Sequence, residues 1–334
     1  MRKIQWGILS TANIGIKRVI PAILSGERGV IAAIASRDAS RAAEIAARFA
    51  MPRSYGSYEA LLNDSAIDAI YNPLPNHLHV EWTVKALNAG KHVLCEKPLG
   101  INAMETRAIV DARDRSQKRV IEAFMVRHHP QWHRVRALVR AGRIGTVRSI
   151  QSAFLFTVLD PNNVRNQAQL GGGALYDVGC YALVTARYIF GAEPTRAIAL
   201  INRDADLGVD TLTSGLLEFP GGGQLVFSSA FRAAAYQRVT ILGSDGRIDM
   251  PVPFTPAKDM ACRISIDSGR SLDGTSAEFE DFPAVDQYAL QCDAAAAAFL
   301  GETPQEFPIE DGIATMRVID ALYRSAASGR WEAP

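Results

Sequence analysis

The chain has 334 residues, 48% of them hydrophobic, and 36 Lys and Arg against 35 Asp and Glu give a formal net charge of +1. That is enough apolar material for a large core in about two domains, and so even a balance leaves no basic field for nucleic acid and no charged tail. With no apolar run of bilayer length, no signal-peptide layout and four isolated cysteines (Cys95, Cys180, Cys262, Cys292), we expect a cytoplasmic protein with reduced thiols and no membrane partner.

In chain order, "KIQWGIL" reads as a buried strand, and "NIGIKRVIPAILSG" follows with apolar residues at helical spacing and a stop at Gly26. "VIAAIAS" is a second strand and "ASRAAEIAARF" a helix. After the short "RSYGSYEALLND" come strand "DAIYNPL", helix "NHLHVEWTVKALNAG", strand "KHVLCEKP", helix "NAMETRAIVDARDRS" and strand "RVIEAFMV". Strands alternating with helices argue for a doubly wound parallel sheet with helices on both faces.

Past about residue 125 the texture changes. Helix "QWHRVRALVRAG" precedes the long strand "VRSIQSAFLFTVL", and a Gly-rich entry opens the helix "GGGALYDVGCYALVTARYIFG". The runs "TRAIALIN", "DTLTSGLLEF", "GQLVFSSAF", "QRVTILGSDGRIDM" and "ACRISID" are joined by turn signals without helices, which predicts a large, mostly antiparallel open sheet. Two helices close the chain, and their alanine run reads as a packing face. The fold class is therefore α/β followed by an α+β domain, with residues 1–124 binding a dinucleotide and residues 125–334 forming a substrate-binding and oligomerisation domain whose last helices pack back toward the first.

The turn after the first strand carries a degraded phosphate motif. On G-x-G-x-x-G the positions read Ser10-Thr11-Ala12-Asn13-Ile14-Gly15, with only the third glycine in place. The anion-binding element is the helix N-terminus, whose amides do not require glycine. Ser10 can make the turn if its φ is negative. Ala12 adds one methyl beneath the pyrophosphate. The second strand ends Ser36-Arg37-Asp38-Ala-Ser-Arg41. Ser36, Arg37 and Arg41 suit a 2′-phosphate, which favours NADP. Two alternatives stay open: Asp38 caps the next helix while both arginines are solvated, or Asp38 takes the ribose of NAD.

"GKHVLCEKPLG", "NPLPNHLHVEWTVKAL" and "GGGALYDVGCYALVTARYIFG" stand in the order and spacing of the Glu-Lys-Pro, Pro-Asn-x-x-His and Gly-Gly-x-Leu-x-Asp segments of the glucose-fructose oxidoreductase/inositol dehydrogenase/rhizopine-catabolism (Gfo/Idh/MocA) family, which the chain resembles along essentially its whole length. The resemblance implies an N-terminal Rossmann domain and a C-terminal sheet through which subunits pair, as a homodimer or homotetramer. It implies cofactor contacts from Pro73, Leu74, Asn76, His79, Glu96 and Lys97, with Lys97 catalytic beside the nicotinamide. The Lys97-Pro98 bond is often cis in relatives, a property that a sequence does not display. The family's usual histidine four residues after Asp177 is here Tyr181, and the six histidines all lie at or before residue 133. This tyrosine version and the poor glycines resemble the branch of glucose-fructose oxidoreductase, dimeric dihydrodiol dehydrogenase and NADP-dependent D-xylose dehydrogenases.

Physically, Asp177 and Tyr181 share a helix face at i and i+4, and a nearby Lys97 cation would lower the tyrosine's pKa toward that of a working base. Tyr181 would exchange a proton with substrate while the nicotinamide exchanges hydride. The expected reaction is NADP-dependent oxidation of a sugar or cyclic polyol, with D-xylose or D-glucose at C1 as the leading example. Alternatives are a trans-dihydrodiol or dicarbonyl/ketosugar oxidoreductase, and a non-catalytic NAD(P)-binding sensor. Bland readings stand beside these: Lys97 solvated, Tyr181 in the core, Asp177 a helix cap. Arg127, at the end of the strand after the cofactor domain, and Arg165, before the Gly-rich turn, are further cofactor candidates. Phe156 and Asn163 are expected at the substrate together with Lys97, Asp177 and Tyr181. His77 and His79, as H-x-H, lack the ligand spacing of a structural zinc site, and we expect no metal.

Overall fold

The structure is a computed structural model and describes residues 2–334. The chain divides into two units, Met1–Met125 with Asp286–Ile313 and Val126–Val285 with Ala314–Pro334.

In the first unit β1 (Ile4–Leu9), β2 (Gly29–Ala35), β3 (Arg53–Tyr55), β4 (Ala69–Asn72), β5 (His92–Glu96) and β6 (Val120–Ala123) form one sheet in the order β3-β2-β1-β4-β5-β6. Every pairing is parallel. This is the doubly wound Rossmann order, and it reverses between β1 and β4, where such sheets bind ligands. β1, β2 and β4 are almost continuously apolar because both faces are covered. Between them run a π-helical turn (Gly15–Val19) continuing into α1 (Ile20–Ser25), then α2 (Ala39–Arg48), α3 (Tyr58–Leu62), α4 (His79–Asn88) and α5 (Ala103–Ser116). Polar side chains start the helices. Asp38, Ser57 and Asn102 each accept from an amide in the first turn of α2, α3 and α5, and Glu105 reaches back to the Ile101 amide at 2.6 Å.

The returning segment adds α8 (Gln287–Phe299) to this unit. Cys292, Ala295, Ala296 and Phe299 join Trp6, Ile8, Ile20, Ile34 and Leu94 in one core. The Phe299 ring lies 5.7 Å from Trp6 and stacks on His92 at 4.9 Å. The alanine run is indeed a packing face: Ala295 to Ala298 are all buried, and small side chains let the helix approach closely.

In the second unit α6 (Pro130–Arg140) precedes β7 (Val147–Thr157), and α7 (Cys180–Phe190) precedes β8 (Arg196–Arg203), β9 (Asp210–Glu218), β10 (Gln224–Ala230), β11 (Arg232–Gly243), β12 (Arg247–Met250), β13 (Cys262–Asp267) and β14 (Ala277–Phe282). They form an eight-stranded sheet, β14-β13-β12-β11-β7-β10-β9-β8. Pairing is antiparallel except where β10 runs parallel to β7. α9 (Ile309–Ser328) contains the point at which the chain passes from the first unit to the second. One face of the sheet exposes Leu200, Leu212, Val226 and Tyr236.

Two readings change. "AEFEDF" is strand β14, which its three acids hid from an apolar pattern. Glu278, Glu280 and Asp281 are met by Arg143, Arg134 and Arg263 at 2.8, 2.7 and 2.6 Å. "RVIEAFMV" is strand only to Ala123, and Met125–His128 is a 3-10 turn. No helix among the described residues is long and apolar enough to cross a membrane.

Candidate active site

The turn after β1 is built without the expected glycines. Ser10 takes φ 82°, in the left-handed region, so the turn is made without the negative φ set as its condition. The turn still demands what glycine would have given, and Ser10 meets it at some strain. Its Oγ accepts from the Ala12 amide at 3.3 Å, which offsets part of that cost. Helical hydrogen bonding begins with Ile16 N donating to Ala12 O at 3.1 Å, and no side chain caps Ile14. The amides just before are those that a helix N-terminus offers an anion. Thr11, Ala12 and Ile14 are half-buried, and Asn13 is exposed. A Cβ added at Gly15 would lie 3.6 Å from Tyr71 and 3.8 Å from Pro73, so the helix start is seated against β4 and the turn that follows it.

At the end of β2, Ser36 is buried and its Oγ accepts from the Asp38 amide at 3.1 Å. Asp38 accepts from Ser40 Oγ (2.6 Å) and Arg41 N (3.0 Å). These hydrogen bonds hold its carboxyl below the usual range. The acid is therefore engaged as the cap of α2. Exposed Arg41 pairs with Glu44 at 2.6 Å, and Arg37, also exposed, hydrogen-bonds Tyr58.

The ends of β4 and β5 carry a buried polar layer. Tyr71 donates to Glu96 Oε1 at 2.7 Å. Burial first and then Glu96 raise its phenol well above the usual value. Asn72 donates to the His79 carbonyl (3.2 Å) and Thr83 Oγ1 (3.1 Å) and accepts from Leu74 N at 3.3 Å. His79 is 1% exposed, with Nδ1 2.7 Å from Pro98 O and Nε2 2.6 Å from Leu74 O. Pro73 and Leu74 are buried, while Asn76 and Lys97 are partly exposed. The Lys97-Pro98 bond is cis. From α8, Tyr288 enters the same neighbourhood. Burial pushes its phenol up to about 12, Glu96 pushes the same way, and Lys97 and Arg18 oppose it.

In the second unit Asp177 lies on a π-helical turn, Leu175–Gly179, that runs into α7. Turns of this width recur at functional sites. Asp210 Oδ2 accepts from the Leu175 amide (2.7 Å) and anchors the start of the turn. Arg165 Nε donates to Asp177 Oδ2 at 2.6 Å, which places these two side chains together. Asn163 caps the short turn bearing Arg165, accepting from its amide at 3.1 Å. Tyr181 is 4% exposed and lies among aromatic rings, 5.5 Å from both Phe154 and Phe254. Phe154 is 6.1 Å from Phe156, over which Arg165 lies at 5.9 Å. Arg127 sits on the 3-10 turn at 4% exposure.

Sequence reading missed Tyr71, Asn72, Tyr288 and Phe254. The first two stood inside "DAIYNPL", where an apolar strand drew attention from the polar pair at its end. The other two lie far along the chain with no motif around them.

Residues 4–124 match the model of an oxidoreductase family with an NAD-binding Rossmann fold, and residues 132–249 match the GFO/IDH/MocA C-terminal domain. The chain belongs to the GFO/IDH/MocA family of oxidoreductases. It is 45% identical to an uncharacterized oxidoreductase of Rhizobium meliloti, covering 99% of both chains. It is 41% identical to an NADP(+)-dependent D-xylose 1-dehydrogenase of Haloferax volcanii over 97% of this chain and 98% of that one. Among solved structures, a 3-ketoreductase of Actinomadura kijaniata in complex with NADP and TDP-benzene superposes with TM-score 0.91 at 31% identity, covering 97% and 98% of the two chains. By name the Haloferax relative acts on D-xylose and the Actinomadura protein is a ketoreductase, and the family identity makes this chain an oxidoreductase with a dinucleotide-binding domain.

Proposed function

We propose that the protein is an NADP-dependent oxidoreductase of a sugar or cyclic polyol, D-xylose or D-glucose at C1 being the leading example. The observation that carries the cofactor reading is the likeness to an NADP(+)-dependent dehydrogenase and to a reductase solved with NADP; at the end of β2, Ser36, Arg37 and Arg41 stand beside Asp38, which is engaged as the cap of α2. The residues present fit such a cofactor: Ser10 to Ile14 would hold the pyrophosphate on backbone amides, and Arg37 and Arg41 the 2′-phosphate. Pro73, Leu74, Asn76, Glu96 and Lys97 would face the nicotinamide end, Arg127 and Arg165 are further proposed contacts, and His79, expected among them, is buried with both ring nitrogens against backbone carbonyls and is not proposed as a direct contact.

The bound cofactor supplies hydride transfer. Tyr181 exchanges the proton of the reacting hydroxyl, and Lys97 supplies the positive charge that favours its phenolate. Asp177, held by Arg165, orients the substrate. Phe156 and Asn163 complete the proposed substrate contacts, and Phe154 and Phe254 give Tyr181 an aromatic surround suited to the apolar face of a ring. The same surround favours a second reading, oxidation of a trans-dihydrodiol. The four buried thiols, with no disulfide among the described residues, suit a cytoplasmic enzyme. The exposed Leu200, Leu212, Val226 and Tyr236 give a homo-oligomer its interface.

The test is direct. Purified protein is mixed with NADP+ or NAD+ and a panel of aldoses, polyols and a trans-dihydrodiol while the reduced cofactor is followed. Turnover with NADP+ and an aldose is expected. Tyr181→Phe and Lys97→Met should lower kcat/KM by about 10²–10⁴-fold while NADP+ still binds. Tight NADP+ binding with no turnover anywhere would sink the enzymatic reading and leave a sensor.

A further inference from the structure

Where β4 and β5 end side by side, one buried imidazole meets two carbonyl oxygens from different loops. The first belongs to Leu74 in the turn after β4, 2.6 Å from Nε2. The second belongs to Pro98, the residue after Lys97, 2.7 Å from Nδ1. The two strands are neighbours in register, Asn72 opposite Cys95. We propose that His79 is the positioning residue for Lys97, its ring tying the turn after β4 to the loop after β5; this rests on the catalytic reading of Lys97 given above.

Three observations carry the assignment. Carbonyl oxygens only accept, so every bond the ring makes here is one that it donates, and an apolar ring of the same shape would fill the space without holding either loop. The acceptors come from two loops rather than from the histidine's own helix, so the contact joins elements instead of finishing one. The histidine is itself located by Asn72, whose amide donates to the His79 carbonyl and to Thr83 Oγ1 while its oxygen accepts from Leu74 N. Asn72, Leu74, His79 and Pro98 thus form a connected buried set that adjoins Lys97 in the chain. The Lys97 backbone is one peptide from the Pro98 carbonyl, so a shift of that carbonyl is passed to the lysine. Misplacement by about 1 Å can cost on the order of 10²-fold in rate.

The ring also has a limit built into it. Burial pushes it down to about 4, with Lys97 and His77 pushing the same way against the two carbonyl bonds. Near neutrality it is therefore an uncharged imidazole with a single N–H: it holds the Lys97 loop when that proton is on Nδ1, donated to Pro98 O, and the bare nitrogen then faces Leu74 O without a hydrogen bond.

The experiment uses the full-length protein and two variants, His79→Phe and His79→Gln. With NADP+ and the best substrate of the panel, kcat should fall about 10–100-fold in His79→Phe. Binding of NADP+, followed by fluorescence, should change less than about threefold. His79→Gln, whose one amide reaches a single carbonyl, should keep an intermediate kcat. Independently of turnover, the ¹³C-methyl resonance of reductively methylated Lys97, assigned by its loss in Lys97→Arg, should move in His79→Phe. An unchanged Lys97 resonance with unchanged kcat in a folded His79→Phe protein overturns the proposal. If His79→Phe does not fold, ¹⁵N-histidine spectra of the wild type decide: one exchange-protected ring N–H at His79 supports the clasp, and a freely exchanging one refutes it. If no substrate turns over, the catalytic reading fails by itself, and the Lys97 resonance still tests the clasp.

Discussion

At Ser10 the backbone takes φ 82°, a conformation costing a non-glycine residue about 1–2 kcal/mol. Its hydroxyl bond to the Ala12 amide is worth about 1 kcal/mol. Ser10→Ala keeps the strain and loses the bond, so it should lower stability by about 1 kcal/mol. Ser10→Gly loses the bond and the strain together, and should be more stable than Ser10→Ala by about 1 kcal/mol. Thermal melts of both variants test the ordering, and equal melting temperatures would refute the strained-turn account. The strand-turn-helix was legible because its helix context survived the loss of glycines, whereas the sign of the Ser10 φ was not: a dihedral forced by the strand on one side and the helix on the other leaves no mark on residue type. Lys97, Asp177 and Tyr181 are proposed for the site from their motifs. The Tyr71–Glu96 and Asn72–His79 bonds were not legible, because a buried polar pair joins residues 25 and 7 positions apart.

At the scale of the element, the π-helical turn Leu175–Gly179 depends on what precedes it. Gly173 has φ 129°, and a Cβ there would come within 2.1 Å of Asp210 Oδ1. Asp210 is 1% exposed and also accepts from Thr213 Oγ1 (3.1 Å) and Tyr323 OH (2.9 Å). Gly173→Ala should therefore displace the carboxylate that anchors the turn and destabilise the protein by about 3 kcal/mol or more. A melting temperature within a degree of wild type would show that the anchor gives way freely. Asp210→Ala should have a similar cost and loosen the turn bearing Asp177, seen as a loss of substrate affinity that exceeds the loss of NADP+ affinity. Helices and parallel strands were legible because their apolar periods are strong. β14 was missed because its acids are balanced by arginines from distant positions, and cross-strand charge pairing does not repeat with a local period.

At the scale of the molecule, both units hold histidines that burial drives far down: His79 and His92 in the first, His128 and His129 in the second, each to about 4. Burial is the largest cause for all four, with neighbouring cations adding to it. The unfolded chain takes up these protons near pH 6.5 and the folded chain only near 4. Below 6.5 the unfolded state binds more protons, so the stability present above that pH drains away as pH falls toward 4. Melting temperatures should be flat from about pH 8 to 7 and drop steadily below 6.5, and His129→Gln should flatten part of that slope. A melting temperature independent of pH between 6.5 and 4.5 would contradict the buried-neutral assignment. The overall architecture was legible because the alternation of strands and helices, followed by strands alone, spells out two kinds of sheet.

The first unit is written in two separate stretches of chain. Its core is completed by Cys292, Ala295, Ala296 and Phe299, which follow more than a hundred and fifty residues of the other unit. During synthesis the nucleotide-binding sheet therefore leaves the ribosome with Trp6 and His92 lacking their Phe299 partner until residues 286–313 follow. A fragment of residues 1–125 should be aggregation-prone, and a peptide spanning 286–313 supplied in trans should raise its solubility. The stretch 1–125 is thus completed only after the strands of the other unit have been made.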